Sequence, residues 1–335
     1  YQCDERAAMQ RFGGSRVSQA TGQGVRMVEV SADHAGRRLD NYLLGSLSGV
    51  PRSRIYRMIR SGEVRVNGGR ARPDRRLLAG DELRIPPVQT RDTQARKPPR
   101  DQVERLLARI VYEDADLLVL NKPAGLAVHG GSGVSWGVIE LLRAGRPQAD
   151  FLELVHRLDR ETSGCLLVAK RRPALRRLHQ QFRDGEVRKQ YVALLCGRLR
   201  GEERYVDTPL LTTTRRGGER HVEPDPDGKP ARSRFYPRKR FRSLSLADVV
   251  IETGRTHQIR AHAASIGHPV AGDDRYGVGA DRAARRFGLQ RLFLHADRLS
   301  FDSPTSGQVV RIEAPLEPEL VAVLDNLAAA ESTPA

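Results

Sequence analysis

The sequence predicts an α+β chain in two units, a small helix-and-strand unit followed by a larger one built on a mixed, mainly antiparallel sheet. Three observations lead there. At 335 residues the chain is long enough for two domains. After residue 106, strand-like apolar runs outnumber helical ones and often follow one another directly, which suits α+β better than alternating βαβ units. Between the two blocks, residues 88–105 (VQTRDTQARKPPRDQVER) are polar, basic and Pro-containing, as a linker is.

The elements follow in order. Residues 1–27 are rich in Gly, Gln, Arg and Ser and lack an apolar signal core, so they read as a disordered leader. The first unit spans 28–87. MVEV (27–30) reads as a short strand. GRRLDNYLLGSL (36–47) puts Leu39, Tyr42, Leu43 and Leu47 on one helical face. RSRIYRMIRSG (52–62) repeats the period with Ile55, Met58 and Ile59 inside and Gly62 as its C-cap. EVRVNGGR alternates around Asn67-Gly68, a hairpin signal, and GDELRIPP (80–87) closes the unit as a strand.

The second unit spans 106–320, with 321–335 left as a C-terminal tail. VYEDADLLVLNKPAGLAVHGG (111–131) reads as strand, turn, strand, and GVIELLRAG (137–145) as a short helix. FLELV and CLLVA flank a charged turn, HRLDRETSG (156–164). PALRRLHQQFRDG (173–185) is a helix with a Pro start and a Gly stop, and KQYVALLCG (189–197) a strand. Residues 212–240 read as an exposed loop or hairpin, FRSLSLADVVIETG (241–254) as a strand, and RTHQIRAHAASIG (255–267) as a helix.

Charge narrows the function. Lys and Arg number 57 against 41 Asp and Glu, a net of +16, which argues for a polyanionic partner such as nucleic acid. Within 31–86, twelve Arg face six acids, and Arg52, Arg54, Arg57 and Arg60 lie off the apolar face of their helix with no acid between 41 and 62. Guanidinium forks suit phosphates. Three scattered cysteines without a CxxC pair fit neither a disulfide framework nor a zinc ribbon, and suit a reducing cytosol. No apolar run is long enough to span a membrane.

Several motifs compete. GVSWG (133–137) matches G-x-S-x-G, but HGGSG before it cannot form the buried strand a nucleophile elbow needs, so a hydrolase built on Ser135 is not the expectation. His257, His262 and His268 lack ligand spacing, and no phosphate-binding glycine loop occurs, so neither a metal nor a nucleotide cofactor is expected. In HRLDRETSG, Asp159 lies among His156, Arg157 and Arg160, where a carboxylate stays ionised and can serve as nucleophile or base. The alternative is a turn held by an Asp–Arg pair. A second cluster, TGRTHQIRAH (253–262), gathers Arg255, His257, Gln258, Arg260 and His262 just after a strand.

PRSRIYRMIRSGEVRVNG (51–68) resembles the S4 RNA-binding domain. HRLDRETSG, RKQYVALL (188–195), TGRTHQIRAHAASIGHPVAGDDRYG (253–277), LLVLNKPAGLAVHGGSG (117–133) and RLFLHADRLSF (291–301) together resemble the pseudouridine synthases of the RluA superfamily, over about 28–320. Within it, the resemblance is to the type acting on large-subunit (23S) ribosomal RNA. The resemblance implies a cofactor-free isomerase of uridine in that RNA or its precursor, working in the cytoplasm without membrane or metal. It implies Asp159 as the catalytic aspartate, Tyr191 against the flipped base, Arg260 paired with Asp159, and Arg157 filling the space the base leaves. Arg255, His257 and Gln258 are expected to touch RNA. The alternative is a non-catalytic S4-type ribosome-assembly factor.

Overall fold

The computed structural model describes residues 24–332, apart from 32–33, 48–49, 89–97, 131–135, 215–219, 278 and 280–281. The leader up to residue 23 and Ser135 lie outside the described residues. The chain divides into two compact units, Tyr1–Arg96 and Lys97–Ala335.

In the small unit, β1 (Arg26–Glu29) precedes α1 (Leu39–Ser46) and α2 (Arg52–Ser61). β2 (Arg65–Val66), β3 (Gly69–Arg70) and β4 (Glu82–Ile85) follow. The four strands form an antiparallel sheet in the order β1-β4-β2-β3. The apolar faces read from the sequence meet in one core: Leu39, Leu43, Ile55, Met58 and Ile59 are buried with Val64, Leu77 and Leu83. Gly62 ends α2 at φ +76, and Asn67-Gly68 turn at φ +50 and +76, the left-handed pair that a two-residue hairpin requires.

The large unit opens with α3 (Arg100–Leu107), so the last residues of the expected linker are helical. Arg100–Glu104 and Asp101–Arg105 pair one turn apart along it, and Leu106 is buried. Then come β5 (Ile110–Glu113), β6 (Leu117–Lys122), α4 (Val138–Gly145), β7 (Glu153–Leu154), β8 (Ser163–Ala169), α5 (Arg172–Asp184) and β9 (Arg188–Cys196). β10 (Arg204–Asp207), β11 (Leu210–Thr214), β12 (Arg220–Pro224), β13 (Arg232–Arg240), β14 (Leu244–Ile251) and α6 (Gln258–Ser265) follow. α7 (Arg282–Arg286), β15 (Leu294–Asp302), β16 (Val309–Glu313) and α8 (Pro318–Ser332) complete the chain.

The main sheet runs β10-β13-β14-β9-β15-β8-β6-β5, with β16 added on β15 and β7 on β8. Every pairing is antiparallel except β15 with β8. β9 explains its own apolar run. Its odd residues Tyr191, Ala193 and Leu195 enter one core with α4 and α5, while Val192, Leu194 and Cys196 enter a second with α7 and α8. Covered on both faces, the strand reads as continuous apolar sequence.

Three expectations need correction. Leu126–Val128 is not a strand; its carbonyls at Ala127 and Val128 accept the N–H groups of Val138 and Ile139, closing the start of α4. Residues 232–240, read as loop because they are arginine-rich, form β13, with Ser233 and Phe235 buried and Arg232, Arg234 and Arg238 paired outward to Glu252, Glu203 and Asp248. The tail is largely α8, whose Leu320, Val323 and Leu327 are core residues.

The parallel pair is short and close: Ser163 faces His295 and Gly164 faces Ala296. Gly164 sits at φ +107, and a Cβ there would come within 2.3 Å of the Ala296 carbonyl oxygen. Gly164→Ala combines a disfavoured backbone with a main-chain clash, so it should cost on the order of 3 kcal/mol. A thermal melt should show Tm lower by roughly 6–12 °C.

Candidate active site

The HRLDRETSG turn joins β7 to β8 as an antiparallel hairpin. Val155 N–H donates to the Leu167 carbonyl at 3.0 Å, and the next rung uses a side chain: Leu167 N–H donates to His156 Nε2 at 3.0 Å. The His156 ring stacks on Phe182 at 5.1 Å. Burial pulls its pKa down to about 4, so the imidazole is neutral and free to accept. His156 therefore shapes the turn. Leu158 is buried, and the Asp159 carbonyl accepts from Thr162 N–H at 3.2 Å, which tightens the loop around the carboxylate.

The neighbours of Asp159 in sequence are not its partners in space. Arg160 pairs with Glu161 and donates to the Gly125 carbonyl, and Arg157 is exposed. The Asp–Arg knot that the local sequence permits is not formed among the described residues. The basic group facing Asp159 is His257, with Nε2 3.9 Å from Oδ2.

His257 is the N-cap of α6 and has φ +52, a left-handed conformation that costs a non-glycine residue of order 1–3 kcal/mol. Its Nδ1 lies 2.9 Å from the Tyr276 hydroxyl, which itself accepts from Val222 N–H at 3.2 Å. With the Tyr276 hydroxyl donating to Nδ1, the imidazole proton sits on Nε2 and faces Asp159. Burial lowers the His257 pKa, with the Asp159 charge opposing, so the imidazole is neutral at neutral pH.

Arg260 lies one turn further along α6. The resemblance implies a direct pair with Asp159; instead the guanidinium fork grips Asp273, Nε to Oδ2 at 2.7 Å and Nη2 to Oδ1 at 2.8 Å. Both groups are buried. Asp273 Oδ1 also accepts from the N–H groups of Arg275 and Tyr276, and the Tyr276 ring lies under the guanidinium at 5.1 Å. Burial alone would lower Arg260; the hydrogen bonds and charge of Asp273, then the charge of Asp159, outweigh it and raise the pKa. Arg260 thus acts on Asp159 through space while Asp273 fixes its aim.

Tyr191, on β9, is buried. Burial first, then the Asp159 charge, pushes its phenol well above the ordinary value, so the hydroxyl stays protonated. Asp159, Tyr191 and Arg260 line one cleft of about 450 Å³ with Arg157, Arg255 and His257 at its walls. Gln258 also borders it, but all its polar bonds are internal. Its amide donates to the Arg232 carbonyl and Ser233 Oγ, and its oxygen accepts from Thr253 Oγ and Arg255 N–H. It positions the 253–257 turn, which differs from the expected RNA contact. Arg255 donates to the Pro230 carbonyl at 3.0 Å and is exposed.

His262 is committed to Ser233 and the Thr208 carbonyl. Among the described residues no group of three or more His, Cys, Asp or Glu is placed to hold a metal ion. No helix among them is long and apolar enough to cross a membrane.

In the small unit, the α2 arginines differ from one another. Arg54 pairs with Glu63 at 3.0 Å, an acid just past the helix. Arg57 and Arg60 are exposed. The side chain of Arg52 lies outside the described residues.

Sequence reasoning missed Lys122, Asp273 and Tyr276. Lys122 is fully buried at the end of β6, and its ammonium donates to the carbonyls of Pro123, Leu126 and Arg160 at 2.8–3.0 Å. The buried lysine in LLVLNKPAG was the one available signal: a cation ending an apolar strand needs acceptors nearby.

Residues 116–265 match the model of the RNA pseudouridylate synthase family, and residues 37–83 that of the S4 domain. The ribosomal large subunit pseudouridine synthase C of Yersinia pestis is 52% identical over 299 residues, covering 88% of this chain and 93% of that protein. That of Escherichia coli K12 is 51% identical over 311 residues, covering 90% and 97%. This chain belongs to the RNA pseudouridylate synthase family. The fold agrees. A solved human protein, RNA Pseudouridylate Synthase Domain Containing 1, is 28% identical with a TM-score of 0.54, covering 69% of this chain and 97% of its own. The family match lies in the large unit, and the S4 match wholly in the small one.

Removing Asp273 leaves the buried Arg260 charge uncompensated. Asp273→Ala should destabilise the protein by roughly 3–5 kcal/mol. Denaturant unfolding at neutral pH should show it as a lower midpoint with an unchanged slope.

Proposed function

We propose that the chain is an isomerase that converts specific uridines of 23S ribosomal RNA, free or within a large-subunit precursor, to pseudouridine. One observation carries this reading: Asp159, Tyr191 and Arg260 come from three chain-distant segments to line a single cleft. The names of the relatives in Yersinia pestis and Escherichia coli support ribosomal RNA as the substrate.

In the reaction the N1–C1′ bond breaks, a C5–C1′ bond forms, C5 loses a proton and N1 gains one. Atoms and electrons balance without a redox partner, so the chemistry calls for no cofactor or metal. The target base leaves the RNA stack to enter the cleft, at a cost of a few kcal/mol. The Tyr191 ring offers a stacking surface worth about 1–3 kcal/mol, and exposed Arg157 at the mouth fills the gap in the RNA. Asp159 acts on the ribose, as nucleophile at C1′ or as base beside it. Arg260, held by Asp273, presents its positive charge toward that carboxylate. Tyr191 takes part as a neutral phenol, because burial and Asp159 both oppose its ionisation; the C5 proton then goes to a stronger base, and the Asp159 carboxylate shares the cleft. His257 and Arg255 border the entering nucleotide.

The small unit adds RNA affinity through Arg57 and Arg60, which present unhindered forks to phosphates. A ribosomal substrate puts the protein in the cytoplasm, and the buried Cys165 and Cys196, neither of them in a disulfide, suit a reducing compartment.

Tritium release from [5-³H]uridine-labelled 23S RNA tests the reaction. Wild type should release tritium; Asp159→Ala should lose at least about a thousandfold in rate with RNA affinity within a few-fold. Substantial turnover by that variant would sink the assignment, and no release from wild type would favour a binding protein. For the small unit, Arg57→Ala/Arg60→Ala should weaken RNA binding and reduce its log–log salt slope by roughly two. Arg54→Ala, already neutralised by Glu63, should change the slope less.

A further inference from the structure

Lys189 is a buried cation for which no reaction step has yet been named. It stands two residues before Tyr191 on β9, so the two side chains share a face of the strand. Only 8% of Lys189 is exposed. Burial lowers its pKa, and no acid opposes that fall. Among the described residues no carboxylate pairs with it; its ammonium faces the Phe182 ring at 5.8 Å. Of the two acids among the residues lining the same space, Asp159 and Glu252, the second is held by Arg232 and Arg234.

That space is a second, open hollow adjoining the cleft and sharing Arg157, Asp159, Tyr191 and Arg255 with it. Lys189, Arg183 and His179 line it as well. An unpaired buried ammonium is destabilising in the free protein. It is retained without penalty in a complex where a ligand supplies the anion. The uridine that enters the cleft carries a phosphodiester on each side, and one of them must leave the cleft along a wall.

We propose that Lys189 binds the phosphate adjoining the target uridine, in the cavity beside the cleft. This rests on the isomerase reading and names how the nucleotide is seated. Arg157, Arg183 and Arg255 line the same cavity, so the RNA strand passes a basic wall there. Lys189 differs from them in being buried, which makes its contact local and strong.

The test uses the full chain and RNA fragments around a uridine that the wild type converts. Each flanking phosphate is replaced singly by an uncharged methylphosphonate. In wild type, one of the two replacements should weaken binding roughly tenfold to a hundredfold. Lys189→Met should lose about the same on native RNA and lose nothing further with that replacement. Its salt slope should fall by about one. Its melting temperature without RNA should match or exceed that of wild type, an outcome that a structural role for Lys189 would not give. Additive losses at both linkages, native-like RNA affinity, or a melting temperature lowered by the substitution would each overturn the proposal. Absence of tritium release from wild type would overturn the isomerase reading beneath it; normal release with additive losses would overturn the Lys189 assignment alone.

Discussion

The ammonium of Lys122 holds the turn that carries Asp159. It sits fully buried at the end of β6 and spends its three donors on the carbonyls of Pro123, Leu126 and Arg160. Burial pulls its pKa down to about 7, against the charges of Glu161, Asp159 and Glu317. Three facing acceptors favour the protonated form, because a neutral amine has only two hydrogens to give. The Gly125 N–H reinforces the tie by donating to the same Arg160 carbonyl, and Arg160 Nε returns a bond to Gly125. Two loops remote in sequence are thereby fixed to one point, and the direction of the Asp159 carboxylate follows.

The rest of the site is arranged around that fixed carboxylate. α6 begins beside it because Gln258 locks the turn before the helix, and His257 bears a left-handed backbone to face Asp159. Asp273 supports the site from behind, gripping Arg260 and capping the chain at Arg275 and Tyr276. Tyr276 then orients His257. Each group that faces the cleft is held by another that does not, which is how a polar site keeps its geometry in a buried setting.

The two units divide the electrostatics. The small unit has a complete core of its own and exposes Arg57 and Arg60. In the large unit three cations are buried, Lys122, Lys189 and Arg260, where charge is screened little. Exposed arginines of β13 are mostly paired with acids, which is why arginine content alone did not mark the site.

By itself the sequence determined the local structure: the apolar faces of α1 and α2, the caps at Gly62 and Gly185, the Asn67-Gly68 hairpin, and the charged turn between two apolar strands. These depend on periodicity and on residues a few positions apart. It also singled out Asp159, Tyr191 and Arg260, through a family resemblance carried by short motifs. Elements whose burial is thin or whose surface is charged escaped it: α3 with one buried leucine, β13 with arginines outward, α8 beyond the last motif. Only the tertiary structure decided which charges meet. The order β14-β9-β15-β8 brings the end of β14, Tyr191 and the turn before β8 side by side, and gives Arg260 to Asp273 and Lys122 to Arg160. Such pairings join residues far apart in the chain, and local patterns carry no information about which strand will lie next to which.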